Sequence, residues 1–277
     1  MPCKASANLT SSWSRRGLEG AAPIQEGPAC FGGAGGDLRL KHFIDWSDIE
    51  LVVFDVDGTL YDQRGLRLIM LRALLVDALR SRSLDTLRTL RTFRHVREKL
   101  GDAGESSFME AQFVQTADRH GKTPQQVREL VGDWMEARPL ASVARYRYPY
   151  LEELFAGLRR HGKKVAVFSD YPAVDKLAAM GLDADLVVCA TDPEIGRLKP
   201  DPAGLLEILR RTGVAPERAL MIGDREDRDA AAARQAGVRS LIRGGRAHAE
   251  FGSFRNYNDP VFAPVLGPER VFATNVP

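Results

Sequence analysis

Cysteine is scarce: Cys3, Cys30 and Cys189 are the only three in 277 residues. They are too few and too scattered for a disulfide framework or a Cys-based metal cluster, which suits a reducing compartment. No apolar stretch approaches the roughly 18–20 residues needed to span a bilayer. The N-terminus also lacks the basic start and apolar centre of a secretory signal. The chain therefore reads as soluble and cytoplasmic, without a membrane partner. An excess of one charge is missing too: 39 Lys and Arg face 37 Asp and Glu, net +2. No whole-chain field invites nucleic acid. His95, His120, His161 and His248 are scattered without ligand spacing, which argues against zinc.

What is present is an alternating grammar. Leu51-Val52-Val53-Phe54 is a continuous apolar run that stops at Asp55-Val56-Asp57-Gly58-Thr59. A run of this kind, bounded by a turn signal, reads as a strand buried on both faces. Val165–Phe168 stops likewise at Ser169-Asp170, Leu186–Cys189 at Ala190-Thr191-Asp192, and Ala219–Ile222 at Gly223-Asp224. Val238–Ile242 ends at Arg243-Gly244-Gly245. Between them, residues 150–160, 202–211 and 229–235 carry helical spacing or alanine-rich composition. Strand and helix in alternation predict parallel βαβ units: an α/β fold, a Rossmann-like doubly wound sheet. Ligands of such sheets gather beyond the carboxyl ends of the strands, where each polar cluster falls.

Three stretches depart from this grammar. Residues 1–45 are rich in Gly, Ala and Ser without apolar periodicity, and read as a disordered tail. Residues 62–148 read as an inserted all-helical domain between the first two strands. Leu66, Ile69, Met70, Ala73 and Leu74 keep the spacing of an amphipathic helix, and Leu84, Leu87, Leu90 and Val96 suggest a second. Thr123-Pro124-Gln125-Gln126 combines an N-cap, an N1 proline and a capping-box glutamine. Over residues 63–100 nine Arg and one Lys outnumber two Asp and one Glu; these read as a solvated helix face, with attraction of an anionic substrate as the alternative. Arg64 and Arg67 follow the first polar cluster closely enough for one to reach it, and Tyr61 is placed to line the hinge of the insert. Residues 246–277, with several aromatics, read as an extension packing on the core formed by 46–61 and 149–245.

Asp55 and Asp57, two apart in extended chain, point the same way. Together they offer one carboxylate as nucleophile and one as proton donor and acceptor. Crowded carboxylates call for a cation, and oxygen-only ligands favour Mg2+. A second acidic cluster, Gly223-Asp224-Arg225-Glu226-Asp227-Arg228-Asp229, follows another strand and emerges on the same sheet edge. Ser169 offers a hydroxyl to phosphate, and Lys199, held in an extended loop by Pro200, offers positive charge. Each has a plainer reading: Asp-x-Asp-Gly as a turn, Ser169 as an N-cap with Asp170 beside it, Lys199 as a solvated lysine. Asp227 and Asp229 fit a helix N-terminus equally well.

Taken together, these motifs resemble the haloacid dehalogenase superfamily of phosphohydrolases, over about residues 49–245. Asp55-x-Asp57-Gly58-Thr59 is similar to its first motif, Ser169 to its second, Lys199 to its third, and Gly223-Asp224-x-x-x-x-Asp229 to its fourth. The resemblance implies that Asp55 is the nucleophile and Asp57 the acid and base. Asp55, Asp57 (through its carbonyl) and Asp224 would bind Mg2+. Thr59, Ser169 and Lys199 would hold phosphate or orient the carboxylates, with Gly58, Asp170 and Asp229 in support. Asp227 remains an alternative to Asp229. The insert resembles a type 1 cap closing over a small phosphorylated metabolite, in a monomer or homodimer. Superfamily members that cleave carbon–halogen bonds or phosphonates lack an acid at the position of Asp57, so phosphate ester hydrolysis is favoured. A phosphomutase, or a protein that only binds a phosphorylated ligand, would keep much of the same pattern.

Overall fold

The computed structural model describes residues 44–106, 108–245 and 250–267. The tail reading for 1–45 falls almost wholly outside them, as do Cys3, Cys30 and His248. Five of the six strands are β1 (Leu51–Phe54), β2 (Lys164–Ser169), β3 (Leu186–Cys189), β4 (Ala219–Gly223) and β5 (Arg239–Arg243). With β6 (Gly252–Phe254) they form one parallel sheet in the order β3-β2-β1-β4-β5-β6. Successive side chains of a strand face opposite ways, and β1 divides accordingly. Val52 and Phe54 enter one buried cluster with Leu154, Phe155 and Leu158; Leu51 and Val53 enter another with Leu205, Ile208 and Ala233. A run apolar at every position is what such two-sided burial requires.

The register sets the site. Phe54 lies opposite Val167 on one side and Ile222 on the other. The residues that follow, Asp55, Ser169-Asp170 and Gly223-Asp224, therefore leave the sheet at one edge.

Helices follow β1 directly: α1 (Gln63–Ser81), α2 (Asp85–Asp102), α3 (Phe108–His120), α4 (Pro124–Val131) and α5 (Arg138–Tyr146), the last two joined by the wider turns of Gly132–Ala137. Thr123 closes its capping box with Gln126 through bonds of 2.9 and 3.2 Å. Leu90, Phe93, Ala117, Val127, Val131 and Trp134 form a cluster of their own, with Met70, Ala73 and Leu74 of α1 against it. The opposite side of α1 is not polar as an amphipathic helix requires: Leu68, Leu71, Leu75 and Leu79 are exposed. Two crossing segments join this layer to the sheet, held by Asp62 N–H to Tyr146 O (2.8 Å) and Tyr148 N–H to Leu60 O (3.0 Å).

The remaining helices cover the sheet: α6 (Leu151–Arg160), α7 (Val174–Ala179), α8 (Ala203–Thr212), α9 (Ala231–Gln235) and α10 (Ala263–Leu266). Past Gly245 the chain adds β6, which three residues with one large apolar side chain do not announce. Phe254, Tyr257 and Phe262 then complete the first cluster. Trp46 Nε1–H donates to Val261 O at 2.6 Å. Among the described residues, no helix is long and apolar enough to cross a membrane.

Candidate active site

Beyond the carboxyl ends of β1, β2 and β4 lies a cavity of about 110 Å³, lined by Asp55, Asp57, Asp170, Lys199, Asp224 and Asp229 from the sheet side. Arg67, Arg94 and Arg97 line it from α1 and α2. Three arginines assigned above to a solvated face thus belong to the cleft. Gly58, Thr59 and Ser169 sit behind its wall rather than on it, Thr59 and Ser169 fully buried. The Ser169 hydroxyl accepts from Tyr171 N–H at 3.2 Å, so its turn role is realised.

Asp55 is buried and held at both oxygens: Oδ1 accepts from Lys199 Nζ at 2.5 Å, Oδ2 from the Thr59 hydroxyl at 2.9 Å. Lys199 also donates to Asp229 Oδ1 at 2.6 Å. Burial alone would lower its pKa, but Asp229, Asp55 and Asp170 hold the ammonium well above its ordinary value. The backbone N–H of Lys199 donates to Asp170 Oδ1 at 3.0 Å. Of the two candidates in the acidic loop, Asp229 is the buried one facing Lys199. Its Oδ2 accepts the N–H groups of Asp224 and Arg225 at 3.1 and 3.0 Å. Asp227 lies outside the cavity, 64% exposed and paired with Arg225.

Asp57 is held by residues the sequence did not single out for the purpose. Its Oδ1 accepts from Lys176 Nζ at 2.7 Å and from the Tyr61 hydroxyl. Burial by itself would raise the Asp57 pKa, yet Lys176 and Tyr61 bring it below the ordinary carboxylate value. Lys176 stands on the six-residue α7, too short a helix for a periodic signal. Tyr61, expected at the hinge of the insert, also bridges to Arg147 where the helical layer rejoins the sheet.

The donor set fits a hard cation. Oxygens of Asp55, Asp224 and Asp229 converge within 4.8 Å of one another. The Asp224 carboxylate receives no hydrogen bond or ion pair among the described residues. Burial, then Asp229, raises its pKa to about 6. Burial also pushes Asp55 well above the carboxylate range against the pull of Lys199, with Asp229 and Asp224 adding to the rise. Three carboxylates sharing one ammonium are short of positive charge, and carboxylate oxygens suit Mg2+ or Ca2+. Asp229, accepting three hydrogen bonds over its two oxygens, orients this set; Asp55, with one at each oxygen, and Asp224, with none among the described residues, retain lone pairs for a cation. Gly58 makes the approach feasible: its φ is +100°, and a Cβ there would lie 2.2 Å from Asp224 Oδ2.

Residues 49–237 match the haloacid dehalogenase-like hydrolase family. The chain is 34% identical over 138 residues to a phosphoserine phosphatase of Thermus thermophilus, covering 48% of this chain and 53% of that protein. The match thus spans about half of that relative's length. It is 30% identical over 198 residues to a glyceraldehyde 3-phosphate phosphatase of Methanopyrus kandleri, covering 69% of this chain and 82% of that one. In fold it is similar to a HAD phosphatase from Thermococcus onnurineus, with a TM-score of 0.56, 23% identity, and coverage of 80% and 100%.

Proposed function

The chain belongs to the haloacid dehalogenase-like hydrolases, and from that premise we propose that it is a phosphatase, hydrolysing small phosphate monoesters with Mg2+ through a phosphorylated Asp55. One observation carries the reading: Asp55 sits immobilised at a strand end by Lys199 and Thr59, facing Asp57 and Asp224 across a single cavity. Mg2+, when held by Asp55, the Asp57 carbonyl and Asp224, supplies positive charge to the phosphoryl oxygens.

In the first half-reaction an Asp55 oxygen attacks phosphorus, and the P–O bond to the leaving group breaks. Asp57, having taken up the proton of a monoanionic monoester at Oδ2, gives it to the departing oxygen. In the second, Asp57, now a carboxylate, takes a proton from water; the water oxygen attacks phosphorus and the bond to Asp55 breaks, releasing phosphate. Lys199 keeps Asp55 from rotating and stays charged throughout. Lys176 and Tyr61 hold Asp57 Oδ1, which leaves Oδ2 for the leaving group and favours the carboxylate needed in the second half. Residues 62–148 act as a cap. Arg97 of α2 donates to Asp170 O and lies 4.0 Å over the Tyr171 ring. Arg228 joins Asp102 at the end of α2 to Lys199 O, the latter at 2.7 Å. These contacts draw the helical layer over the site and limit water around the reacting atoms.

The test is phosphate release from a panel of small monoesters. Release with Mg2+ that vanishes on adding EDTA and returns with excess Mg2+ is the expected result. Absence of release from every monoester would end this reading. Gly58→Ala should raise the Mg2+ concentration for half-maximal rate by about tenfold or more, because its Cβ displaces the Asp224 carboxylate. An unchanged Mg2+ titration in that variant would remove Asp224 from the metal site.

A further inference from the structure

Six cationic side chains line the cleft, and four are already committed. Lys199 holds Asp55 and Asp229. Arg97 bonds Gln112 and Asp170 O. Arg225 pairs with Asp227, and Arg228 bonds Lys199 O and Asp102. Arg67 and Arg94 are different: each is exposed into the cleft, and neither has a hydrogen bond or ion pair among the described residues. Glu98, one turn beyond Arg94 on α2, lines the same cavity but forms no ion pair with it.

Their position is as telling as their freedom. Arg94 feels Tyr171, Arg67, Asp57 and Tyr61 as its electrostatic neighbours, and Arg67 acts on Tyr61. Both line the same cavity as Asp57, and each lies within electrostatic range of its partner Tyr61. Nucleophile and leaving group lie roughly in line across phosphorus, so the surroundings of Asp57 are the surroundings of the leaving group. Although Arg94 is exposed to solvent in the cleft, the protein around its guanidinium lowers its pKa, and the Arg67 charge adds to that. Two like charges held without partners at one cavity carry a cost that a bound anion would offset.

Resting on the phosphatase reading above, we propose that Arg67 and Arg94 form a subsite for a carboxylate on the leaving group, so that the preferred substrate is a small phosphorylated hydroxy or amino acid. A guanidinium presents a planar fork that matches a carboxylate with two parallel hydrogen bonds. The cavity, at about 110 Å³, lies well below the roughly 300–1,000 Å³ of ordinary small-molecule sites. It suits a leaving group of a few heavy atoms and leaves little room for a second phosphoryl group.

The experiment compares kcat/KM for phosphoglycolate, whose carboxylate carbon lies two bonds from the ester oxygen, with that for 2-hydroxyethyl phosphate, its neutral counterpart. Both are measured with Mg2+ on the same preparation, so the ratio is independent of the folded fraction. Wild type should prefer the carboxylate by about 100-fold, the discrimination expected when a desolvated charge loses its partner. Arg67→Met and Arg94→Met should each bring the ratio to about tenfold or below, with Arg94→Lys in between. A wild-type ratio near one, with both esters hydrolysed, overturns the subsite and leaves the phosphatase reading intact. So does a ratio that survives both Met variants, or a preference for propane-1,3-diol bisphosphate over the carboxylate. If neither these esters nor p-nitrophenyl phosphate is hydrolysed, the phosphatase reading fails and the subsite with it.

Discussion

Asp55→Asn lowers kcat by on the order of 10⁴-fold or more, the scale seen when a covalent nucleophile is removed, and does so without costing stability. The second half of this expectation follows from the sign of its pKa shift. Burial, unrelieved by Lys199, raises Asp55 above its unfolded value. At neutral pH the folded state therefore disfavours the charge that the unfolded chain carries freely. Asparagine keeps the shape and, at its single oxygen, the contact from Lys199, while its amide N–H can donate to the Thr59 hydroxyl oxygen and the charge is removed, so in EDTA the variant should melt no lower than wild type. Added Mg2+ should raise the melting temperature of wild type more than that of the variant, since binding to the native state stabilises it. Kinetics with mass-spectrometric control for deamidation, alongside thermal melts, decide the matter. Turnover within tenfold of wild type would exclude Asp55 as the nucleophile.

Lys199→Met should be the most damaging single change to the fold. Lys199 is 2% exposed and answers two carboxylates. Removing one partner of a buried ion pair costs about 3–5 kcal/mol because the remaining charge is stranded. In a chain of this size that corresponds to roughly 6–20 °C in melting temperature. Lys199 has a raised folded pKa, so its contribution is complete below the unfolded lysine value of about 10.4 and is lost only as pH rises through the folded value. The deficit should accordingly be flat from neutral pH to about pH 10. Adding Asp229→Asn to Lys199→Met should restore part of the loss, since the pair does not act additively. A change below about 0.5 kcal/mol, the size expected of a surface lysine, would show that the ammonium is not bound there.

The five strands that build most of the sheet were legible because burial on both faces leaves no room for polar residues, and the runs of β1, β2 and β4 ended at residues that line or back the cavity. The capping box at Thr123 and the buried stripe of α4 were legible for a local reason as well. Where the reading was thin, the determining contacts are distant or disguised. α3 buries Gln112 and Thr116 along with Phe108 and Ala117, so its inward face carries no hydropathy signal. Lys176 meets Asp57 across 119 positions of sequence. Arg67 could be placed near the site by its closeness to the first motif, but Arg94 looked like a solvated cation because charge alone does not reveal which wall of a cavity a helix supplies. The leucines on the outer side of α1 blurred its periodicity further.

The place of β1 in the sheet has a consequence for how the chain is made. It is the first of the described strands to leave the ribosome, yet it pairs with Lys164 and Ala219 onward, at separations of 113 and 168 residues from Leu51. Synthesis runs at about 5–20 residues per second, so Leu51–Phe54 waits on the order of ten seconds for its second neighbour. Through that interval an apolar strand has at least one open edge, the kind of exposure that invites wrong pairing. The helices of residues 63–146 emerge before either neighbour and can bury their own cluster meanwhile, whereas the turn bearing Asp55 and Asp57 gains its lysine and its acidic loop only after Lys199 and Asp224–Asp229 have been synthesised.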